Sequence, residues 1–368
     1  MTKAGKIDIN AMKKFVNKKV GLNIAHDLNQ DNPTAVKEWI PTGSRWLDSI
    51  ICRGVMAGIP VGKITELAGL SSAGKSYMAC QIASQAQKKG HCVVYFDAES
   101  AIDPMFLTNS GIDINNDFLY IQAVSVEKVL ETIEDLMMQY PETQFLFIWD
   151  SIAATSSEKD LEGDFNPQSS MAVKPRIFAK AFPKLTIPLA NHQCTLLLIN
   201  QLKTNITSNI AEAMTTPLVA PGGKAIEYFC SLRIWLTKRK AKASFVTDST
   251  GLRIGSEVKV KVEKSRFGSE GRTCGFKILW GKEVGIQDEE SWLEALRASG
   301  SDRFKPGAWN KIYDTKGKEF KFQRSQWIKK LQDPEFRSVV LDIMDDEIIR
   351  KFESEGKNFG LEGESEEG

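Results

Sequence analysis

The pattern of apolar and polar positions predicts strands that alternate with helices between residues 61 and 279. Three runs are continuously apolar, as expected for parallel strands that helices cover on both faces: 92–96, 145–149 and 194–199. Apolar residues also recur at helical spacing from Val126 to Met137, with Ser125 as the expected N-cap. This alternation predicts a three-layer α/β domain with a mainly parallel central sheet.

Further strands are predicted on either side of these runs, at 62–67, 117–122 and 229–236. The runs 257–262 and 273–279 differ because apolar and polar residues alternate along them. Such alternation is typical of antiparallel strands with one solvated face. We therefore expect an antiparallel extension of the parallel sheet.

The composition changes at both ends of this core, which we assign to residues 41–284. Residues 1–40 are basic, and Met12, Phe15, Val16 and Val20 recur at helical spacing. We interpret them as an oligomerisation segment whose amphipathic helix either caps its own core or contacts a neighbouring copy. A small α/β domain is expected at 285–345, with two helical stretches around a hairpin at 307–322. Residues 346–368 are expected to be an acidic, disordered tail.

The overall composition is that of an ordinary soluble globular protein, with 368 residues, 42% apolar and 26% charged. A net charge of +1 means that any nucleic-acid site must be local. The six cysteines form no C-x-x-C pair and the three histidines are isolated, which argues against a zinc site. We expect no membrane span and a location in the cytoplasm, or in the cytoplasm of a host cell.

Residues 69–76 match the phosphate-binding loop G-x-x-x-x-G-K-[ST], between a predicted strand and a predicted helix. The two glycines permit close backbone approach, and the N–H groups between them surround an anion at the helix N-terminus. Lys75 is expected to reach the β- and γ-phosphates, and Ser76 to bind Mg²⁺. The nucleotide-binding residues predicted here are Gly69, Leu70, Ser71, Ser72, Ala73, Gly74, Lys75 and Ser76.

Polar side chains follow each of the three buried strands, and strand ends are where α/β sheets bind ligands. Glu99 follows the first strand and could orient the water that attacks a γ-phosphate. Asp150 ends the second strand in Walker B form and is expected to hold Mg²⁺. Gln201 follows the third strand, where its amide could sense the γ-phosphate.

Two segments, 159–171 and 202–223, look too long to be simple connections, and long loops are usually functional. Their small polar residues and the cations Arg176, Lys203 and Lys224 suit a phosphodiester backbone. Ile206 could insert between bases. From these residues alone, a generic flexible lid is an equally good interpretation.

Taken together, the motifs resemble those of the RecA family of homologous-recombination proteins over roughly residues 35–342. The matching motifs are 41–44, 60–69, 69–76, 96–104, 149–154, 199–201, 222–225 and 260–266. Unrelated P-loop enzymes share only the first nucleotide motif and a strand-end aspartate. The size and divergence of the chain suggest the phage branch of the family, typified by UvsX.

The resemblance implies a protein that uses ATP and Mg²⁺ and polymerises on single-stranded DNA into a filament of its own copies. The filament would pair with homologous duplex DNA and hydrolyse ATP, helped by a mediator and a single-strand-binding protein. From the negative charge of residues 353–368 we separately expect the tail to compete with DNA for a basic surface. The implied DNA contacts lie in and beside the two long loops: Gly163, Met171, Arg176, Lys203, Ile206, Gly222, Gly223 and Lys224.

The resemblance also implies roles at the nucleotide. Glu99 would activate water, and Gln201 would couple the γ-phosphate to the second DNA loop. Asp103 and Phe106 would contact the adenine, with Trp280 on its other side. Lys264 and Arg266 would reach the γ-phosphate of the adjacent subunit, as arginine fingers do.

Two departures from the family pattern and two other functions are weighed against this interpretation. Residue 266 is Arg where bacterial RecA usually has Lys, and the first loop is one residue longer and contains Pro167. Without the resemblance, Lys264 and Arg266 are interpreted as solvated charges. The alternative functions are a RecA-core hexameric helicase or translocase and a non-catalytic ATP-binding assembly factor.

Overall fold

The computed structural model describes residues 8–21, 24–28, 32, 35–100, 102–162, 173–205, 217–238, 244–280 and 284–350. The helices are α1 (Ile9–Val20), α2 (Arg45–Ile51), α3 (Lys75–Lys88), α4 (Pro104–Asn109), α5 (Val126–Gln139), α6 (Glu158–Glu162), α7 (Val173–Asn191), α8 (Lys224–Phe229), α9 (Asp288–Ser299), α10 (Trp327–Lys330) and α11 (Pro334–Met344). A 3₁₀ turn at Arg324–Gln326 precedes α10, and a π-helical turn at Asp345–Arg350 follows α11.

The strands are β1 (Trp39–Ile40), β2 (Ile59–Pro60), β3 (Ile64–Gly69), β4 (Cys92–Asp97), β5 (Phe118–Gln122), β6 (Phe145–Asp150), β7 (Thr195–Gln201), β8 (Lys203–Thr204), β9 (Leu218–Val219), β10 (Leu232–Thr237), β11 (Phe245–Thr247), β12 (Arg253–Ser265), β13 (Thr273–Trp280), β14 (Val284–Gln287), β15 (Phe304–Lys305), β16 (Asn310–Tyr313) and β17 (Glu319–Phe322). The predicted strand at 229–236 begins later than expected, because helix α8 extends to Phe229.

The central sheet has the order β14-β13-β12-β10-β3-β7-β6-β4-β5. From β10 to β5 neighbouring strands are parallel, whereas β12, β13 and β14 continue the sheet in antiparallel pairing. Along β12 the exposed lysines alternate with buried valines, which confirms the predicted antiparallel strand with one solvated face. The mainly parallel α/β fold is therefore as the sequence predicts.

Helices cover both faces of the sheet and form two separate apolar clusters. One cluster joins α2 and α3 to the sheet, and the other joins α5, α7 and α8 to its opposite face. Ser125 caps α5 by accepting a hydrogen bond from the amide of Lys128 at 3.1 Å, as predicted. The sheet and the helices on its two faces form the three predicted layers.

The N-terminal residues form a compact unit of their own, which ends at Glu38. Within it, Asp8 caps α1 by accepting a hydrogen bond from the amide of Ala11 at 3.1 Å. No residue of α1 is buried, and its apolar side chains Met12 and Phe15 are exposed. The predicted amphipathic helix is present.

A third apolar cluster lies in the C-terminal part, where the sheet β15-β16-β17 packs with α9, α10 and α11. The predicted hairpin is formed by β16 and β17. One boundary needs correction: residues 346–350 were assigned to the tail, but they continue the helical segment after α11. Burial of Ile349 and the ion pair of Asp346 with Arg303 at 2.7 Å hold them there. Residues 351–368 lie outside the described residues.

Asp48 is a buried carboxyl in α2, close to the start of α9. It accepts hydrogen bonds from the amide and the hydroxyl of Thr42, at 3.0 and 2.7 Å. Burial raises the pKa of Asp48 to about 7, and the negative charge of Asp288 adds to this shift. The native state therefore keeps a proton that the unfolded chain releases at lower pH.

We predict that the free energy of unfolding falls as pH rises from about 4 to about 7, with a slope of at most about 1.4 kcal/mol per pH unit from this group. Asp48→Asn should flatten this part of the profile, because asparagine cannot ionise and can still accept from Thr42. Urea titrations at a series of pH values measure the effect. An identical pH profile in both proteins would show that Asp48 ionises normally.

Candidate nucleotide and nucleic-acid sites

The phosphate-binding loop lies between β3 and α3, as predicted. Ser72 and Gly74 adopt left-handed conformations with φ of 55° and 90°. A Cβ on Gly69 would lie 2.7 Å from the carbonyl oxygen of Leu236, so the loop can leave the sheet here only with glycine. The chain then enters α3 at Lys75, which makes a helix N-terminus available to an anion.

Lys75 and Asp150 lie at the centre of this site. The ammonium of Lys75 donates to the carbonyl of Leu70 at 3.1 Å and is largely buried. Burial lowers the pKa of Lys75, while the negative charges of Asp150 and Glu99 oppose that shift. Lys75 is therefore close to both predicted carboxylates.

Asp150 is also buried, and it shares hydrogen bonds with Ser76 and Tyr95. The Tyr95 hydroxyl donates to Oδ2 of Asp150 at 2.7 Å. Burial raises the pKa of the Asp150 carboxyl, and the hydrogen bonds from Ser76 and Tyr95 oppose the shift. Tyr95 was not among the predicted site residues, although it shares a strand face with Asp97, two residues on.

The pairing of Ser76 with Asp150 supplies oxygen ligands of the kind that Mg²⁺ prefers. Within the described residues, no group of three or more His, Cys, Asp or Glu side chains could hold a metal ion. A magnesium ion at this position would therefore take its other ligands from phosphates and water, which is its usual mode of binding. The residues present fit that ion.

Glu99 and Gln201 are brought together at the same edge of the sheet. Oε1 of Glu99 accepts hydrogen bonds from Nε2 of Gln201 at 3.1 Å and from Oγ of Ser151 at 3.0 Å. Asp97 supports the turn that carries Glu99, because its Oδ1 accepts from the Glu99 amide at 2.9 Å. Ser151 and Asp97 were not among the predicted site residues, although Ser151 follows Asp150 and Asp97 lies two residues before Glu99.

A cavity of about 400 Å³ lies beside the phosphate-binding loop. It is lined by Ser72, Ala73, Gly74, Tyr77, Phe106, Lys238, Arg253, Ser256, Val258, Ile278 and Trp280. The predicted aromatic pair Phe106 and Trp280 is thus on the wall of one cavity with the loop. Asp103 is the N-cap of α4 and accepts from the amide of Met105 at 2.9 Å. We call this space the loop-side cavity.

Lys264 and Arg266 lie away from this chain's own phosphate-binding loop. Lys264 pairs across the sheet with Arg233, which pairs with Glu66, whereas the loop begins after Gly69. Glu66 lies three residues before Gly69 on β3, which corresponds to about 10 Å along the strand. Lys264 is therefore displaced from the loop by about that distance along the strands. Arg266 donates to the carbonyl of Tyr228 at 2.9 Å, and Lys264 donates to the carbonyls of Glu227 and Tyr228.

The predicted DNA-contacting residues are described only in part. Gly163, Met171 and Ile206 lie outside the described residues. The predicted first loop begins with helix α6, and the antiparallel ribbon β8–β9 forms the base of the second. Arg176 and Lys203 are exposed, and exposed Lys224 pairs with Glu227 at 2.9 Å.

A second cavity, of about 300 Å³, lies where these two segments meet the core. Lys174 and Lys203 line it together with Gly222. Lys174 donates to the carbonyl of Ala153 at 3.2 Å, and burial lowers its pKa. A Cβ on Gly222 would lie 2.2 Å from Cδ1 of Ile226, and one on Gly223 would lie 3.0 Å from Cβ of Pro175. The two glycines therefore allow α8 to start against α7.

A buried polar network connects the strand before the phosphate-binding loop with the end of the second long segment. Glu66 on β3 is fully buried and accepts from Nε of Arg233 at 2.6 Å. Its other oxygen accepts from Nδ2 of Asn200 at 2.8 Å, and the same amide group donates to the carbonyl of Pro221 at 2.8 Å. Asn200 precedes Gln201, so the network adjoins the nucleotide edge.

Fold and site together define a P-loop nucleoside triphosphatase with an α/β core. The family model for the RecA N-terminal domain matches residues 7–286. The chain is 30% identical to Protein RecA of Acinetobacter baylyi over 337 residues, which are 91% of this chain and 90% of that protein. It is also 30% identical to Protein RecA of Mannheimia haemolytica over 303 residues, or 82% and 77% of the two chains.

The chain belongs to the RecA family. Proteins of this family are DNA-dependent ATPases that use ATP with Mg²⁺, bind DNA and form filaments. Among solved structures, the crystal structure of the RadB recombinase is 20% identical with a TM-score of 0.48, covering 67% of this chain and 98% of that chain. No helix in the described part of the chain is long and apolar enough to cross a membrane.

Arg233→Met should lower the free energy of unfolding by about 3–5 kcal/mol, because it leaves the buried Glu66 carboxylate without its cation. The matched control is Lys184→Met, whose ion pair with Glu134 is equally short at 2.6 Å but has an ammonium side chain that is 66% exposed. The control should change stability by less than about 1 kcal/mol.

Urea unfolding of both variants measures the difference. Adding Glu66→Gln to Arg233→Met should recover part of the loss, because the amide carries no charge. Equal losses in Arg233→Met and Lys184→Met would contradict the importance of burial for this pair.

Proposed function

We propose that this protein is an ATP-dependent DNA strand-exchange protein. It polymerises on single-stranded DNA into a helical filament, pairs it with homologous duplex DNA and hydrolyses ATP at subunit interfaces. The observation that carries the proposal is the position of Gln201, whose side chain contacts Glu99 while the chain enters ribbon β8–β9 two residues later. One strand end therefore adjoins both the nucleotide site and the second DNA segment.

Glu99 is assigned the role of the general base, since it lies at the carboxyl edge of the sheet beside Lys75 and Asp150. Its carboxylate would orient the attacking water and accept its proton. Lys75 and the loop amides would stabilise the charge on the β- and γ-phosphates. Mg²⁺ held by Ser76 and Asp150 would neutralise further phosphate charge.

The loop-side cavity is assigned to the nucleoside part of ATP. Phe106 and Trp280 supply aromatic faces on its wall, and such faces stack well on a planar base. Asp103 is assigned to the same base because it lies one turn before Phe106 at the start of α4.

The DNA is assigned to the surface near the second cavity. Arg176, Lys203 and Lys224 supply exposed cations there, and Lys174 adds a half-buried one. Cations and backbone amides bind phosphates without reading sequence, as strand exchange between any homologous pair requires. Gly163, Met171 and Ile206 complete the proposed contacts, with Gly222 and Gly223 at the end of the second segment.

Lys264 and Arg266 are assigned to the nucleotide of the neighbouring subunit. Within their own chain they lie toward the other end of the strands from the phosphate-binding loop, and they contact the end of α8. Cations that arrive from a neighbour stabilise the charge of the transition state, so hydrolysis depends on assembly. We further place the chain in the phage branch of the family and expect a mediator and a single-strand-binding protein as partners.

A mixing experiment tests this shared active site. Glu99→Gln and the double variant Lys264→Ala/Arg266→Ala should each lose nearly all DNA-stimulated ATP hydrolysis. A 1:1 mixture should recover about a quarter of wild-type turnover, because about one interface in four then joins an intact Glu99 to intact cations. Phosphate release in the presence of single-stranded DNA measures turnover.

The control for mixing is a triple variant that carries all three substitutions. Mixed with Glu99→Gln, it should stay inactive because no subunit then has Glu99. If the mixture of the first two variants is also inactive although both enter one filament, Lys264 and Arg266 do not act across the interface.

A strand-exchange assay with ATP tests the proposed function as a whole. Single-stranded DNA should replace its identical strand in a homologous duplex, and electron microscopy should show long filaments. Closed rings that separate strands without exchange would identify a helicase or translocase. Nucleotide binding without hydrolysis, with single-stranded DNA present, would identify an assembly factor.

A further inference from the structure

Arg253 lies on the wall of the loop-side cavity and has no role in the function described so far. It is the first residue of β12, and its guanidinium carbon lies 3.8 Å from the ring centroid of Phe245 and 5.1 Å from that of Trp280. Its Nε donates to the carbonyl of Gly255 at 3.2 Å, and its Nη2 donates to the hydroxyl of Ser256. These contacts hold the guanidinium close to two aromatic rings.

The charge of Arg253 is not neutralised within the described part of the chain, where the salt bridges include no carboxylate on this guanidinium. The described lining of the cavity contains a second cation, Lys238, and no Asp or Glu. The ammonium group of Lys238 donates a hydrogen bond to the carbonyl of Ser72, in the phosphate-binding loop, at 2.7 Å. Arg253 is therefore the cation on the aromatic side of the cavity.

Burial does not fix the orientation of the Trp280 indole, because the residue is the last of β13 and is 49% exposed. An exposed indole at a strand end has several accessible rotamers, and ordering it on ligand binding lowers affinity. A guanidinium over the ring favours one orientation through cation–π attraction. With the guanidinium on one face of the indole, the other face is the one that we assign to the base.

We propose that Arg253 is a positioning residue of the nucleotide site, which holds Trp280 ready to stack on the nucleobase. The inference rests on the proposed binding of ATP in the loop-side cavity. It assigns to Arg253 an effect on the nucleoside end of the ligand, exerted through Trp280, and no contact with the phosphates. The strength of binding to the base would then depend on Arg253 through its hold on Trp280.

The test compares wild-type protein with Arg253→Gln in calorimetric titrations of ATP, ADP and adenosine. Affinity should fall about 3- to 10-fold for all three ligands by a similar factor, because they share the base. Arg297→Gln is the matched control, since its guanidinium lies on α9, where it pairs with Glu294, and does not line the cavity. That control should leave all three affinities unchanged.

A double-mutant cycle with Trp280→Ala shows whether Arg253 acts through the indole. In the Trp280→Ala background, Arg253→Gln should change ATP affinity less than about 2-fold. Should Arg253→Gln unfold, Arg253→Met gives the same cycle, since it keeps a long unbranched side chain and removes the cation.

Three results would overturn the inference: unchanged affinities in Arg253→Gln, a loss that grows with the number of phosphates, or an equal loss with and without Trp280. These results differ from a failure of the proposed ATP site, on which the inference rests, because in that case the wild-type protein itself would bind no ATP. Wild-type binding with any of the three results would reject the role of Arg253 alone.

Discussion

The parallel register of β3, β7, β6 and β4 is the constraint on which the candidate site depends. It places Gly69 opposite Gln201 and Asp97 opposite Asp150, so that groups far apart in sequence share one edge of the sheet. Because β7 lies between the strand of the phosphate-binding loop and the strand of Asp150, Gln201 occupies the middle of that edge. A slip of one residue in any of these strands would turn its side chains to the other face.

The buried network of Glu66, Arg233 and Asn200 fixes this register at its centre. Its three side chains come from β3, β10 and β7, which are neighbours in the sheet. A fully buried carboxylate is tolerated only when its partners are in place, so the network disfavours other alignments of these strands. The link from Asn200 to the carbonyl of Pro221 extends that order toward the second long segment.

Much of the fold and part of the site follow from the sequence. Continuous apolar runs and the glycine-rich loop predict the parallel sheet, Lys75, Asp150 and Gln201, because these signals are local in the chain. Tyr95, Lys238 and Arg253 were missed because their roles arise from pairing between distant strands, which leaves no local pattern. Residues 346–350 were predicted to belong to the tail, but Asp346 is retained in the fold by its ion pair with Arg303, more than forty residues earlier.

Gly74 of the phosphate-binding loop lies against the strand that carries Trp280. It thereby connects the phosphate end of the candidate site with the base end. A Cβ at this position would lie 2.6 Å from Cδ1 of Ile278, a buried residue of β13 two positions before Trp280. The loop that would hold phosphate is therefore in van der Waals contact with the strand that carries the aromatic wall for the base. Glycine at this position suits the contact as well as the left-handed backbone, because a Cβ on residue 74 would displace the side chain of Ile278.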